Sequence, residues 1–417
     1  MTAAVGESGG LEVGGVDLCA LAADLGTPLF VYDEAHLRAR CQEARRAWGD
    51  GVAYATKAFL CRAMAALACE EGLWLDVSTG GELHVALSAG VPADRLVMHG
   101  NNKSDDELRA AITAPVARIV VDSFDELDRL EHLAAAGPVP PTVLLRVTPG
   151  VEAHTHEYVR TGQDDTKFGF GLASGAADEA MARARRLEAA GLVRLAGVHA
   201  HIGSQIFLLE SYDAEVEVLG AWFAGLGLEE LCLGGGLGVP YVGGEQAPSL
   251  TEWAARAKAA CARVGIPGDV RVTAEPGRSI VAAAAVTLYT VGTIKELPGI
   301  RTYVSVDGGM SDNPRPVLYG SGYEAFLPRS PDADRPRVVT IVGKHCESGD
   351  LLVADACVPS DTRVGDLLAT PVTGAYGHSM ASNYNKVPRP PVVFVAGGSH
   401  RVVVRRETFD DLVRLDA

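Results

Sequence analysis

The chain has 417 residues, 47% of them hydrophobic, and a formal net charge of −16. That length exceeds one ordinary domain and suits two, with apolar residues enough for a large core. The charge argues against a nucleic acid or an anionic membrane as partner, since both call for a basic face; a few local arginines still suffice for a small anion.

The opening "MTAAVGESGGLEVGG" has no basic segment and no apolar core, so it is not read as a signal peptide. Within it "GGLEVGGVDL" reads as a short strand available to a β-domain elsewhere in the chain. From about residue 50 to 280, short apolar or β-branched runs alternate with longer stretches of helical spacing. The runs lie at 52–56, 73–78, 95–100, 118–123, 142–147, 195–203, 230–236 and 270–277. Between them stand amphipathic segments such as "SFDELDRLEHLAAAG" and "LTEWAARAKAACARVG", with Ser123 and Thr251 as candidate N-caps and Gly137 and Gly265 as candidate ends. Eight strand–helix units in about 230 residues predict a (β/α)₈ barrel, with a doubly wound open sheet as the alternative.

Beyond 280 the pattern changes to short strands broken by Gly, Pro and Asp turns, as in "TYVSVDGG", "RVVTIVGKHC", "DLLVADACV", "DLLATPV", "PVVFVAGG" and "RVVVRRET". The fold class is therefore α/β plus β: a TIM-like barrel over 28–280, and an all-β barrel or sandwich, discontinuous in sequence, from 1–27 and 281–417. The longest apolar stretch, 279–292, is too short to span a bilayer. Eight cysteines are scattered without a CxxC pair or a zinc-like cluster. That suits a reducing cytosol, so a soluble cytoplasmic protein is expected.

In a barrel the reactive groups sit where strands end. Those ends carry Lys57, Asp76, His99, Arg146, His201, Gly234 to Gly236, and Glu275 to Arg278. Lys57 ends "YATKAF"; close to a buried strand it is expected to be partly desolvated and so a better nucleophile, the alternative being a snorkelling surface lysine. "GGGLG" at 234–238 lets backbone N–H groups converge on a phosphate, or is a tight turn without ligand. It is not GxGxxG, so a dinucleotide site is poorly supported. "AEPGRS" at 274–279 offers a carboxylate, a rigid turn and a cation, or a local Glu275–Arg278 salt bridge. His199 and His201 at strand spacing point to one face; a metal pair is one reading, a core histidine beside an aromatic wall the other. Far from these, "KHCESGDLL" places Cys346 beside Glu347 before a Ser-Gly turn.

In order, "YATKAF", "HIGSQ", "GGGLG", "EPGR", "CESGD" and "GAYGHSMASNYN" resemble the fold-type-III pyridoxal-phosphate decarboxylases. The likeness runs almost end to end through "GTPLFVYDE", "DVSTGGEL", "HGNNKS", "VEAHTHEYVRTGQDDTKFGF" and "VGTIKELPGIRTYVSVDGGMSDNPRPVLYG". The resemblance implies that Lys57 carries pyridoxal 5'-phosphate covalently and that His201 stacks on its ring. It implies that Ser204, Gly235, Gly236 and the backbone of Gly277 and Arg278 hold the phosphate, that Glu275 faces the pyridine nitrogen, and that Tyr376 closes the site. Arg278, Arg315, Tyr319, Glu347 and Tyr376 would bind a small amino-acid substrate with a second amino-acid centre at its far end. Cys346 would join Lys57 and His201 as catalytic, reaching with Glu347 from the partner chain of a homodimer with shared active sites. No metal is implied. The reaction expected is decarboxylation of meso-2,6-diaminopimelate to L-lysine in lysine biosynthesis; the alternative is a paralogous decarboxylase of another amino acid. One departure is Gly377, where many family members carry cysteine. A metal-dependent hydrolase would need histidines at several strand ends and a late aspartate, and a non-catalytic cofactor carrier would lack the β-domain with its Cys-Glu pair.

Overall fold

Short runs of buried aliphatic and small residues build a parallel sheet in one of two units into which the chain divides, Cys41–Val239 with Gln246–Ser279. The computed structural model describes residues 1–137, 139–151 and 165–417, so most of the "VEAHTHEYVRTGQDDTKFGF" motif lies outside the described residues. The strands are β1 (Ala53–Ala55), β2 (Trp74–Val77), β3 (Leu96–Met98), β4 (Arg118–Val121), β5 (Thr142–Thr148), β6 (Arg194–His199), β7 (Glu230–Cys232) and β8 (Arg271–Thr273). Each pairs in parallel with the next.

Closure is visible in two backbone bonds. The Ala53 N–H donates to the Ala274 carbonyl at 3.0 Å, and the Ala55 N–H to that of Pro276 at 3.2 Å. They join β1 to the chain just past β8 and make a barrel of the sheet, which removes the open-sheet alternative. Ala53, Val97, Val120, Leu144, Ala196 and Cys232 form one buried cluster. Each comes from a different strand, and only a barrel interior brings six strands' side chains together. Except at β5, the strands are shorter than the apolar runs in the sequence, and several runs continue past the strand over the C-terminal end of the barrel. His99 follows β3 in this way, and Gly234 to Gly236 follow β7.

The helices between strands start at polar caps. Ser123 accepts from the Glu126 N–H and begins Phe124–Leu133, and a 3₁₀ turn then runs to Gly137. The helix Leu250–Arg263 is capped by Ser249, not Thr251 as the sequence reading has it. Ser249 and Glu252 form a reciprocal capping box that satisfies two free N–H groups, while the Thr251 hydroxyl bonds to Glu43.

The other unit comprises Met1–Arg40, Pro240–Glu245 and Ile280–Ala417. The start of the barrel unit thus moves from the expected 28 to 41, because Leu29–Asp33 pairs within the second sheet, between Ala285–Leu297 and Val392–Ala396. The eight-stranded sheet runs in the order 351–358, 337–342, 301–306, 285–297, 29–33, 392–396 and 399–404, with 367–371 alongside 285–297. The 13-residue strand Ala285–Leu297 changes partners along its length: its first half pairs with 29–33 and 367–371, its second with 301–306. The sheet has two cores, one around Tyr289, Val304, Ile341 and Leu352, the other around Leu29, Val31, Leu288 and Val393. The N-terminal segment forms a separate three-stranded sheet, 3–5, 11–13 and 16–17, rather than a strand of the large one. Backbone bonds from Leu11 to Pro328 and from Gly398 to Gly14 tether it. Among the described residues no helix is long and apolar enough to cross a membrane.

Candidate active site

Four side chains meet at the C-terminal end of the barrel with almost no exposure: Asp76 on β2, His99 after β3, His199 at the end of β6, and Glu275 after β8. Both oxygens of Glu275 are engaged, Oε1 by His99 Nε2 at 2.8 Å and Oε2 by His199 Nε2 at 3.0 Å. Burial opposes ionisation of Glu275, but the two imidazoles outweigh it and hold the carboxyl well below the usual carboxylate range. Burial pulls His199 down to about 4 despite Glu275. It pushes Asp76 up to about 6, against the pull of His99.

His99, His199 and Glu275 offer donor atoms within 4.8 Å of one another, but the Nε2 atoms of both imidazoles are already directed at carboxylate oxygens. The HxH pair does not share a ligand. His201 is half-buried and turns its Nδ1 to the Gly235 N–H at 3.1 Å. Burial first, then the cations Lys57 and Arg146, keep His201 well below its ordinary value, so it is neutral.

The glycine turn after β7 is required by close approach. A Cβ on Gly235 would overlap the Glu275 carbonyl, and one on Gly236, which holds φ +105°, would overlap that of Gly203. The Tyr212 hydroxyl donates to the Gly235 carbonyl at 3.2 Å from below. Beside this turn Arg278 donates to Ser204 Oγ at 2.9 Å. Gly277 packs so near Ala55 that an added Cβ would lie 2.9 Å from the Ala55 Cβ. Backbone from three strand ends therefore forms a concave shelf edged by a hydroxyl and a guanidinium, which fits a phosphate. The local Glu275–Arg278 salt bridge is not formed; each residue goes to other partners.

Lys57 sits in the single turn Thr56–Ala58 directly after β1. Its side chain is exposed, correcting the expectation of partial desolvation. The turn is pinned by Thr56 Oγ1, which donates to the Asp76 carbonyl at 2.7 Å.

The remaining expected residues lie in the β unit. Arg315 is buried and begins a short helix, Arg315–Tyr319. Its Nε donates to the Tyr323 hydroxyl at 3.1 Å and Nη2 to Ser321 Oγ at 3.0 Å. Its guanidinium carbon lies 5.1, 5.5 and 5.8 Å from the ring centres of Tyr241, Tyr319 and Tyr376. The structure thus brings Arg315, Tyr319 and Tyr376 together and adds Tyr241, Tyr323 and Ser321, which the sequence reading missed. Nothing in spacing announces Tyr241, which is 74 positions upstream of Arg315. Tyr376 holds φ +58°, uncommon for a bulky residue. At the next position a Cβ on Gly377 would lie 2.9 Å from the Thr373 carbonyl oxygen, so the glycine suits this packing.

Cys346 and Glu347 are exposed on the turn 344–350. Asp350, buried beneath, holds this turn. Its Oδ2 accepts from the backbone N–H and Nδ1 of His345, both at 2.9 Å, and its Oδ1 accepts from the Met310 N–H at 2.6 Å. The His345 ring stacks on Tyr384, and the Cys346 N–H donates to Asn385 Oδ1 at 3.0 Å.

Residues 34–282 match the pyridoxal-dependent decarboxylase, pyridoxal binding domain family. The chain is 46% identical to the diaminopimelate decarboxylase of Mycobacterium tuberculosis, over 98% of this chain and 95% of that one. It is 47% identical to that of Bacillus subtilis, over 98% and 96%. The crystal structure of diaminopimelate decarboxylase from M. jannaschii superposes with a TM-score of 0.92 at 31% identity, covering 100% of this chain and 98% of that one.

Proposed function

The chain belongs to the diaminopimelate decarboxylase family of pyridoxal-dependent decarboxylases, and from that premise we propose how its own residues carry out the conversion of meso-2,6-diaminopimelate to L-lysine and carbon dioxide. The observation that carries the reading is the gathering, at one barrel end, of Lys57, the shelf of Gly235, Gly236 and Gly277, and Glu275 with both oxygens bound. When bound, pyridoxal phosphate supplies an electron sink for the pair left at the α-carbon as carbon dioxide departs.

Lys57, exposed at the end of β1, carries the cofactor. Ser204, Gly235, Gly236 and the backbone of Gly277 and Arg278 hold its phosphate. His201, neutral and fixed through Nδ1, presents its ring face to the cofactor. Glu275, held anionic, keeps the ring nitrogen protonated by favouring the charged form. Tyr376 closes the site.

At the substrate's far end, Arg278 and Arg315 bind the carboxylate in forked hydrogen bonds, beside Tyr319 and Tyr376, and Glu347 binds the ammonium by charge. The tyrosines around Arg315 hold the fork in one orientation before substrate arrives. Cys346 gives the α-carbon the proton it needs and regains one from solvent. Cys346 and Glu347 act on the partner's substrate in a homodimer, and the enzyme works in the cytoplasm, where its free cysteines stay reduced.

A product screen tests the substrate. meso-Diaminopimelate should give lysine, and ornithine and arginine should give no product at comparable concentration. A chain that releases carbon dioxide only from one of the latter is a paralogue of other specificity. Borohydride reduction followed by peptide mapping should label Lys57. Label on Lys103, which is buried against Glu126, or on Lys167 sinks the assignment.

A further inference from the structure

We infer that His99 and His199 are positioning residues that clamp the two oxygens of Glu275, and that Asp76, behind His99, sets the charge of this clamp and so how firmly Glu275 keeps a proton on the cofactor's ring nitrogen. The inference rests on the reading above in which Glu275 faces that nitrogen.

An ionised carboxylate only accepts hydrogen bonds, so each Nε2 facing Glu275, at 2.8 and 3.0 Å, is a donor. That puts a proton on the Nε2 of both imidazoles. His199 Nδ1 is buried without a hydrogen-bond partner, as the bare lone pair of a neutral Nε2–H imidazole would be. The two rings meet edge to face at 4.8 Å and 69°, so each blocks the other's rotation. Glu275 therefore loses its side-chain freedom before any ligand arrives, and the remaining lone pairs of its oxygens are aimed by the fold.

Asp76 completes the arrangement. Its Oδ1 lies 3.8 Å from His99 Nε2 and has no hydrogen-bond partner of its own. Burial opposes a charge on His99, but Asp76 and then Glu275 overcome this and raise it above its ordinary value. The other charged or titratable groups acting on the cluster are Lys57, Glu82, Arg146, His201 and Cys232, with Asp122 facing Arg146 at 3.5 Å. With Asp76 ionised, its charge offsets that of His99 and the negative potential of Glu275 reaches the ring nitrogen. As pH falls through about 6, Asp76 takes up a proton. His99 then pulls on Glu275 alone, and Glu275 becomes the weaker partner for the ring nitrogen.

Two measurements on the full-length protein test this. The first is nitrogen NMR of ¹⁵N-histidine protein, with and without cofactor, assigned by His99→Gln and His199→Asn. Both imidazoles should carry hydrogen on Nε2; an Nε2 without its proton on either ring overturns the clamp. The second follows the ring nitrogen of ¹⁵N-labelled pyridoxal phosphate against pH in the loaded enzyme. His99→Ala should move its titration away from the wild-type position as Glu275 loses a fixed donor, and Asp76→Asn should move it to lower pH and also remove a limb near pH 6 from the kcat/KM profile. His99→Ala should lose roughly tenfold to a hundredfold in kcat/KM, the scale of one hydrogen bond to a charged group. His99→Gln, which keeps an N–H donor, should recover most of that loss. If Glu275→Gln moves the ring-nitrogen titration while His99→Ala and Asp76→Asn leave it at the wild-type position, the clamp has no role and this inference fails. If Glu275→Gln itself leaves it unmoved, Glu275 does not face the ring and the underlying reading fails.

Discussion

At the end of the barrel Glu275 is buried and both its oxygens are taken by histidines, whereas Cys346 and Glu347 stand exposed on a turn anchored by the buried carboxylate beneath it. The barrel group is complete in one chain: each charge has a counter-charge or a donor, and low dielectric strengthens each contact. The turn is the opposite. Asp350, His345 and Asn385 hold its backbone in one shape, yet the thiol and carboxylate it presents face solvent. An ordered backbone displaying exposed reactive groups suits a surface that completes another site. In the homodimer proposed here, the fold prepares one half of each site internally and leaves the other half to assembly.

The largest effect should come from separating the two halves. Lys57→Ala and Cys346→Ala homodimers should each be nearly inactive. After partial unfolding and subunit exchange of equal amounts, about half the dimers are mixed, each with one intact site of two, so activity should return to roughly a quarter of wild type. No recovery, with exchange verified by tagged subunits, would falsify the shared site and erase the contrast drawn above.

Arg315 is intermediate, buried like the barrel group but placed in the β unit. Arg315→Ala should raise KM for diaminopimelate and cost roughly 2–5 kcal/mol in kcat/KM, because the substrate's far carboxylate loses its buried partner. Unchanged kinetics would mean that carboxylate binds elsewhere.

Asp350→Ala tests whether the turn's order matters. It frees the Met310 and His345 N–H groups and should cost about 2–4 kcal/mol in denaturant unfolding, since buried donors are left unmatched. The rate of Cys346 alkylation should rise as the turn loosens, and borohydride labelling of Lys57 should not change. An alkylation rate equal to wild type would show that Asp350 does not order the turn.

The smallest effect belongs to the barrel scaffold. Ser249→Ala should lower stability by about 1 kcal/mol through loss of the cap, with kcat unaltered. Thr251→Ala should cost less, reversing the cap choice made from sequence.

Much of this was legible in the residues. Alternation of apolar runs with helical spacing announced the barrel, because each strand must be apolar where it meets the core and each helix polar where it meets water. The strand-end positions of Lys57, Asp76, His99 and Glu275 followed from that count, since a barrel places its loops at one mouth. What spacing could not supply was pairing. "SFDELDRLEHLAAAG" declares its own cap at Ser123, but "LTEWAARAKAACARVG" was assigned the wrong one because two hydroxyls stand within three residues, and only the reciprocal bond to Glu252 distinguishes them. The expected bound at 28 puts 29–33 with the barrel, whereas the strand pairs in the second sheet, a choice that nothing local in the chain marks.

Local sequence determined the elements, the glycine shelf and the chemical types at each strand end, since period, turn chemistry and motif order depend on residues near one another in the chain. Tertiary structure decided that His199 belongs with His99 and Glu275 rather than with His201, that Lys57 is exposed, and that Arg315 sits among tyrosines from 241, 319, 323 and 376. Those outcomes depend on distances between segments far apart in the chain, which are set only when the barrel closes and the long strand Ala285–Leu297 chooses its partners.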